Sequence, residues 1–139
     1  MKKVLVVEDQ EMPWMMFKAA LKACGIPPET VVRARCYSEA EEKIQSEKYD
    51  LIFLDHRMPM DDPGFTDSLD LKAFSGYLQE IGYGLLPLIA THQPQAVVVG
   101  TSSLSASERG SFGTPPHYIS KLDLFDELPP LLQSLFPTT

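Results

Sequence analysis

The chain has 139 residues, 19 acidic and 12 basic, for a formal net charge of −7, with 44% hydrophobic and 22% charged residues. That is the composition of one globular domain, able to bury roughly 68–70% of the surface its unfolded chain exposes. The surplus of acid argues against direct nucleic-acid contact, which needs a basic patch to neutralise phosphates, and against an anionic membrane surface.

The chain opens MKKVLVVEDQ, in which a four-residue apolar run stops at Glu8 and Asp9. That run is too short for a signal-peptide core or a membrane span, so no membrane insertion is expected. The two cysteines, Cys24 and Cys36, form neither a CxxC nor a zinc spacing, and a reducing cytoplasm is the simplest compartment. In chain order, Val4–Val7 reads as a first strand buried on both faces. Trp14, Phe17, Leu21 and Cys24 recur with helical spacing, Pro13 fits a first turn, and the helix stops near Gly25. Val31–Cys36 reads as a second strand. Ser38 and Glu41 form a capping box for a helix reaching about Lys48. Leu51–Leu54 is a third strand, again buried on both faces. Leu71, Phe74, Leu78 and Ile81 predict a third helix. Leu85–Gln95, with Pro87 and Pro94, reads as an added segment. Ala96–Gly100 is a fourth strand, Ser105–Gly110 a short helix, and His117–Ser120 a fifth strand. The last helix runs from about Asp126 to Phe136, with Leu128, Leu131, Leu132 and Leu135 inward and Pro129 and Pro130 in its first turn.

No hairpin turn joins consecutive strands, and each pair is separated by a crossover. The expected fold is therefore α/β, a three-layer doubly wound (βα)5 parallel sheet. The functional site of such a sheet lies off the carboxyl ends of its strands. The residues there are Glu8 and Asp9, Asp55, Thr101 and Lys121. Three gathered carboxylates are costly without a cation, and an all-oxygen set suits Mg²⁺. A carboxylate beside such a metal can attack phosphorus, while a lysine and a hydroxyl can hold phosphoryl oxygens. Trp14 reads as a packing residue, and its place just after the acidic pair would let its fluorescence report metal binding.

The segments VLVVED, LIFLDHRMP, VVVGTSS and HYISK resemble, in order, the motifs of the response-regulator receiver domain, and the resemblance covers nearly the whole chain. It implies the strand order 2-1-3-4-5. It implies that Asp55 accepts a phosphoryl group from a sensor histidine kinase or a phosphotransfer protein. Asp9 and Asp55 would ligate Mg²⁺ directly, Glu8 through water, and the backbone carbonyl of Arg57 would add a ligand. Lys121 and Thr101 would bind the phosphoryl group, and Tyr118 would be the aromatic switch. A downstream protein would read the face made by the fourth helix, fifth strand and fifth helix, and a homodimer is a further partner that the resemblance allows. Self-phosphorylation from small phosphodonors and slow autohydrolysis are expected rather than conventional enzyme turnover.

The chain departs from the pattern in three places. The stretch from Asp55 to Thr101 is roughly sixteen residues longer than the family needs, which places an insertion within about 61–95 of a single receiver domain spanning 1–139. Leu122 rather than proline follows Lys121. Ser111–Pro116 crowds the fourth helix. Two other functions compete. A haloacid-dehalogenase-type phosphatase would need an aspartate where Arg57 stands. A phosphorylation-independent interaction module on a receiver fold is the main alternative to a stand-alone receiver.

Overall fold

The structure is a computed structural model that describes residues 3–55, 57–59, 78–80, 82–101, 117–119 and 124–136. Five strands, β1 (Val4–Val7), β2 (Val31–Ala34), β3 (Leu51–Leu54), β6 (Val97–Gly100) and β7 (His117–Tyr118), form one parallel sheet in the order β2-β1-β3-β6-β7. Counted within that sheet alone, the order is the expected 2-1-3-4-5. The remaining strands, β4 (Arg57–Pro59) and β5 (Leu78–Glu80), pair antiparallel as a separate ribbon. Among the described residues the helices are α1 (Glu11–Ala23), α2 (Tyr37–Ser46), α3 (Leu86–His92) and α4 (Leu124–Leu135), with 3-10 turns at Pro28–Thr30 and Gly82–Leu85.

Every residue of β1 and β3 is buried, as expected of parallel strands covered on both faces. Alternation along the strands sorts them into two cores. Val4, Val6, Leu51, Phe53 and Val99 face Phe17 and Leu21 of α1 and Leu124, Leu128 and Leu132 of α4. Leu5, Val7, Ile52, Leu54 and Val98 face Ala40 and Ile44 of α2 and Leu85 and Ile89 beside and within α3. This gives the three layers expected from the sequence.

Local chemistry explains the element ends. After α1, Gly25 adopts φ 88°, a left-handed conformation that glycine enters without a Cβ clash. Its N–H donates to Lys22 O at 3.0 Å and that of Ile26 to Leu21 O at 2.9 Å. Those two bonds are a Schellman closure of the helix. The end of α2 is closed from outside by Gln93, which is 3% exposed. Its Nε2 donates to Ile44 O at 2.7 Å and also to Glu47 O, and its Oε1 accepts from Tyr49 N–H at 3.1 Å. The amide thereby satisfies carbonyls that a helix end leaves without partners.

Several expectations are corrected. The third helix expected over Leu71, Phe74, Leu78 and Ile81 does not extend through Leu78, which lies in β5; Leu71, Phe74 and Ile81 are outside the described residues. The segment Leu85–Gln95, read as an addition, holds α3, which covers one face of the sheet. Pro87 does not break α3 because it sits in the first turn, where its N–H would have no partner. The second strand ends at Ala34, Cys36 is the N-cap of α2, and Ser38 is already helical, so the expected capping box is not what opens that helix. The last helix starts at Leu124, which moves Pro129 and Pro130 out of the first turn and into the helix interior. There each proline leaves a carbonyl four residues back without its helical donor. The short helix expected over Ser105–Gly110 and the crowded Ser111–Pro116 stretch lie outside the described residues.

Candidate functional site

The flush register of the sheet levels its strand ends. Val7 is paired with Leu54, and Leu54 with Gly100, so the next residues, Glu8, Asp55 and Thr101, stand side by side. Backbone bonds fix them there: Glu8 N–H donates to Ala34 O at 2.9 Å and Thr101 N–H to Leu54 O at 3.0 Å. All three are buried, and Asp9 is half-buried. One carboxylate oxygen each from Glu8, Asp9 and Asp55 lies within 4.8 Å of the others. Glu8 Oε2 accepts from Gln10 N–H at 3.1 Å, which braces the loop that leads into α1.

The donor set fits a small hard cation. It is all oxygen, which suits Mg²⁺ or Ca²⁺ rather than a soft metal. Opposite ligands of one ion stand about 4.0–4.2 Å apart around Mg²⁺ and about 4.6–5.2 Å around Ca²⁺, so oxygens within 4.8 Å of one another are near the dimensions of a single ion's shell. Asp9 Oδ2 is buried and has no hydrogen-bond partner among the described residues, a state a buried oxygen rarely keeps unless something else satisfies it. Burial, then the charges of Glu8 and Asp55, then a hydrogen bond with Glu8 push the Asp9 carboxyl from its ordinary 3.8 up to about 7.

That shift fixes how stability responds to pH. Below its unfolded value Asp9 is protonated in both states. Between there and about 7 the folded chain keeps a proton that the unfolded chain releases. Rising pH therefore removes stability through that window, and the loss is complete above it. A divalent cation held by the cluster would take the proton's place. Mg²⁺ at ten times its Kd adds about 1.4 kcal/mol, or about 5 °C in Tm for a domain of this size. Thermal melts with EDTA or Mg²⁺ are expected to separate by that amount near pH 8 and to coincide near pH 5. Equal separation at both values would dissociate the cation from the Asp9 proton.

The expected site residues are placed as follows. Glu8, Asp9 and Asp55 come together, and Thr101 stands at the level of Asp55. Arg57, whose carbonyl was expected as a ligand, begins β4 directly after the acidic strand end. Tyr118 ends β7, paired with Gly100. Lys121 lies outside the described residues, as do the side chains of Arg57 and Tyr118.

Sequence reasoning missed Arg33. It lies on β2, its side chain only 10% exposed, and it reaches across to the acidic loop. Its Nε donates to Glu8 O at 3.1 Å, its Nη2 to Asp9 O at 3.3 Å, and its Nη1 to Glu11 Oε2 at 2.7 Å. The hydrogen bond and charge of Arg33 hold the Glu11 carboxyl below its ordinary range. The guanidinium also stands 5.5 Å from the centroid of the Trp14 ring, within cation–π range. No local signal marks this role, because an arginine in a half-buried edge strand is usually a solvated side chain.

No protein-family model matches the chain, and no curated protein does. Solved structures do. The response regulator TrrA of Thermotoga maritima, in complex with Mg²⁺ and BeF, is 24% identical with a TM-score of 0.69, over 98% of this chain and 100% of that one. The same regulator in complex with the histidine kinase ThkA gives 24% and 0.67, over 98% and 99%. A CheY-like response regulator receiver domain from Methanospirillum hungatei gives 20% and 0.66, over 97% and 96%. Over nearly its whole length, then, this chain has the fold of the response-regulator receiver domains, with its acidic cluster at the carboxyl edge of the sheet.

Proposed function

We propose that the chain is a phosphoacceptor of two-component signalling, taking a phosphoryl group from a sensor histidine kinase or a phosphotransfer protein onto Asp55. The observation that carries this reading is the gathering of Glu8, Asp9 and Asp55 within 4.8 Å at the end of a receiver fold, level with Thr101. Its support on the partner side is that a solved regulator of the same fold is in complex with a histidine kinase.

In the transfer, an Asp55 oxygen attacks phosphorus as the bond from phosphorus to the donor's imidazole nitrogen breaks, and the imidazole leaves. Water later attacks the same phosphorus, which returns the carboxylate and releases inorganic phosphate. Glu8, Asp9, Asp55 and the Arg57 carbonyl would hold Mg²⁺, which supplies charge compensation for the phosphoryl oxygens. Thr101 would donate its hydroxyl to one of those oxygens and Lys121 its ammonium to another. Drawing Thr101 toward the new group shifts the segment after β6, and the Tyr118 side chain would follow it. A downstream protein would read the altered face beside β7 and α4, or a second copy of the chain would. Among the described residues no helix is long and apolar enough to cross a membrane, and a cytoplasmic location accords with this reading.

Intact mass after incubation with Mg²⁺ and acetyl phosphate tests it. The wild type is expected to gain a species about 80 Da heavier, the mass of one phosphoryl addition, and Asp55→Asn to gain none. No such species in the wild type, or one that survives Asp55→Asn, removes the reading.

A further inference from the structure

Arg33 sits outside the carboxylate cluster and has no place in the phosphoryl chemistry, yet it touches two of the three residues whose side chains form that cluster. Its contacts are to their backbone. The Nε donates to the carbonyl of Glu8 and the Nη2 to that of Asp9, at 3.1 and 3.3 Å. The third edge of the guanidinium takes Glu11 in the first turn of α1 at 2.7 Å. The guanidinium also lies over the ring of Trp14, one turn further on. A single side chain, nine-tenths buried, thus ties β2 to two consecutive loop carbonyls and to the start of a helix. The guanidinium serves them from three nitrogens held apart in one rigid plane, whereas an ammonium carries its three donors on a single atom at the end of a flexible stem.

Without those bonds the loop after β1 would be anchored by the Glu8 N–H to Ala34 O and by the Glu8 carboxylate's own bond to Gln10. Two adjacent carbonyls held by one rigid group leave the Glu8–Asp9 backbone little freedom to rotate. The direction in which both carboxylates project is therefore set before any cation arrives, and less order must be gained on binding.

We propose that Arg33 is a positioning residue that presets the Glu8–Asp9 loop for a divalent cation, with Trp14 as its optical reporter. This rests on the reading of Glu8, Asp9 and Asp55 as a Mg²⁺ site. A simpler effect of Arg33 would be its charge alone, and that makes the opposite forecast. A cation beside three carboxylates repels Mg²⁺, so removing it should tighten binding and keeping it as lysine should change nothing.

Calorimetric Mg²⁺ titrations of the wild type, Arg33→Lys and Arg33→Ala separate the two, run well below each Tm with folding checked by circular dichroism. Arg33→Lys keeps the charge and serves as the informative variant if Arg33→Ala fails to fold. Positioning predicts that both variants bind Mg²⁺ about 10–100-fold more weakly, the usual effect of removing a group that orients metal ligands. The emission of Trp14, the chain's only tryptophan, should change on Mg²⁺ binding in the wild type. It should change much less in Arg33→Lys even at saturating Mg²⁺, a difference that mere loss of stability does not produce. Wild-type affinity in Arg33→Lys, or tighter binding in Arg33→Ala, overturns the positioning role while leaving the metal site in place. A wild type that binds no Mg²⁺ overturns the metal site itself, and the positioning role with it.

Discussion

Replacing Gln93 with leucine is expected to lower the unfolding free energy by about 3–5 kcal/mol, because buried groups that lose a partner each cost about 1–3 kcal/mol. The volume is nearly kept, so packing is not the cause. What is lost is one amide that serves Ile44 O, Glu47 O and Tyr49 N–H together. All three groups belong to the turn from α2 into β3, where water cannot easily replace the amide. Against a typical total of about 5–15 kcal/mol, this is a large share. Urea unfolding should show a lower midpoint with an unchanged slope. Gln93→Glu should be worse still near pH 8, where the carboxylate offers no donor to either carbonyl, and should recover part of the loss on acidification. The amide lies at the amino end of β3, the far end of the sheet from the carboxylates. Mg²⁺ affinity of the folded variant should therefore match the wild type, and a loss of affinity would show that the two ends are coupled.

Phe53→Ala is expected to combine a stability loss of about 3–5 kcal/mol with weaker cation binding. Phe53 is fully buried in β3, and its ring centroid lies 5.0 Å from that of Phe17 on α1 at a tilt of 47°. This pair is worth more than its buried area, and it also has a geometric role. Asp55 follows Phe53 by two residues, while Glu8 and Asp9 lead into the helix that carries Phe17. The two rings thus tie the strand that ends at Asp55 to the helix into which Glu8 and Asp9 lead. Phe53→Leu, which keeps most of the volume, should retain Mg²⁺ affinity near the wild-type value. If Phe53→Ala binds Mg²⁺ as well as Phe53→Leu does, the ring pair serves stability alone.

The parts of the fold that were legible in the sequence are those in which one physical demand dominates. β1 and β3 are buried on both faces, so every position must be apolar, and the chain turns polar where burial stops. The acidic cluster was legible for the same reason, since Glu8 and Asp55 are the first residues past those runs. The crossover between β3 and β6 was not. Leu71, Phe74, Leu78 and Ile81 have helical spacing, yet Leu78 pairs across an antiparallel ribbon, where a period of two applies. Leu85–Gln95, with Pro87 and Pro94, reads as an added segment, although Pro87 sits harmlessly in the first turn of a helix that covers the sheet. Arg33 and Gln93 illustrate a different limit. Their partners lie 22–49 residues away along the chain, and a polar side chain that closes another element's loose end leaves no periodic trace beside itself.

The ribbon of β4 and β5 has a bearing on how this protein could be rebuilt. Pro59 and Leu78 are direct partners across it, so the described chain on either side of residues 60–77 ends at neighbouring points. Antiparallel partners stand only about 4.5–5.5 Å apart, a gap that a turn of about two to five residues can span. Pro59 and Leu78 are therefore spaced to accept a short hairpin turn, or a domain whose own termini lie close together. A graft at that point would be separated from Asp55 by four residues, three of them ribbon, which makes it the natural place to install a sensor on this scaffold.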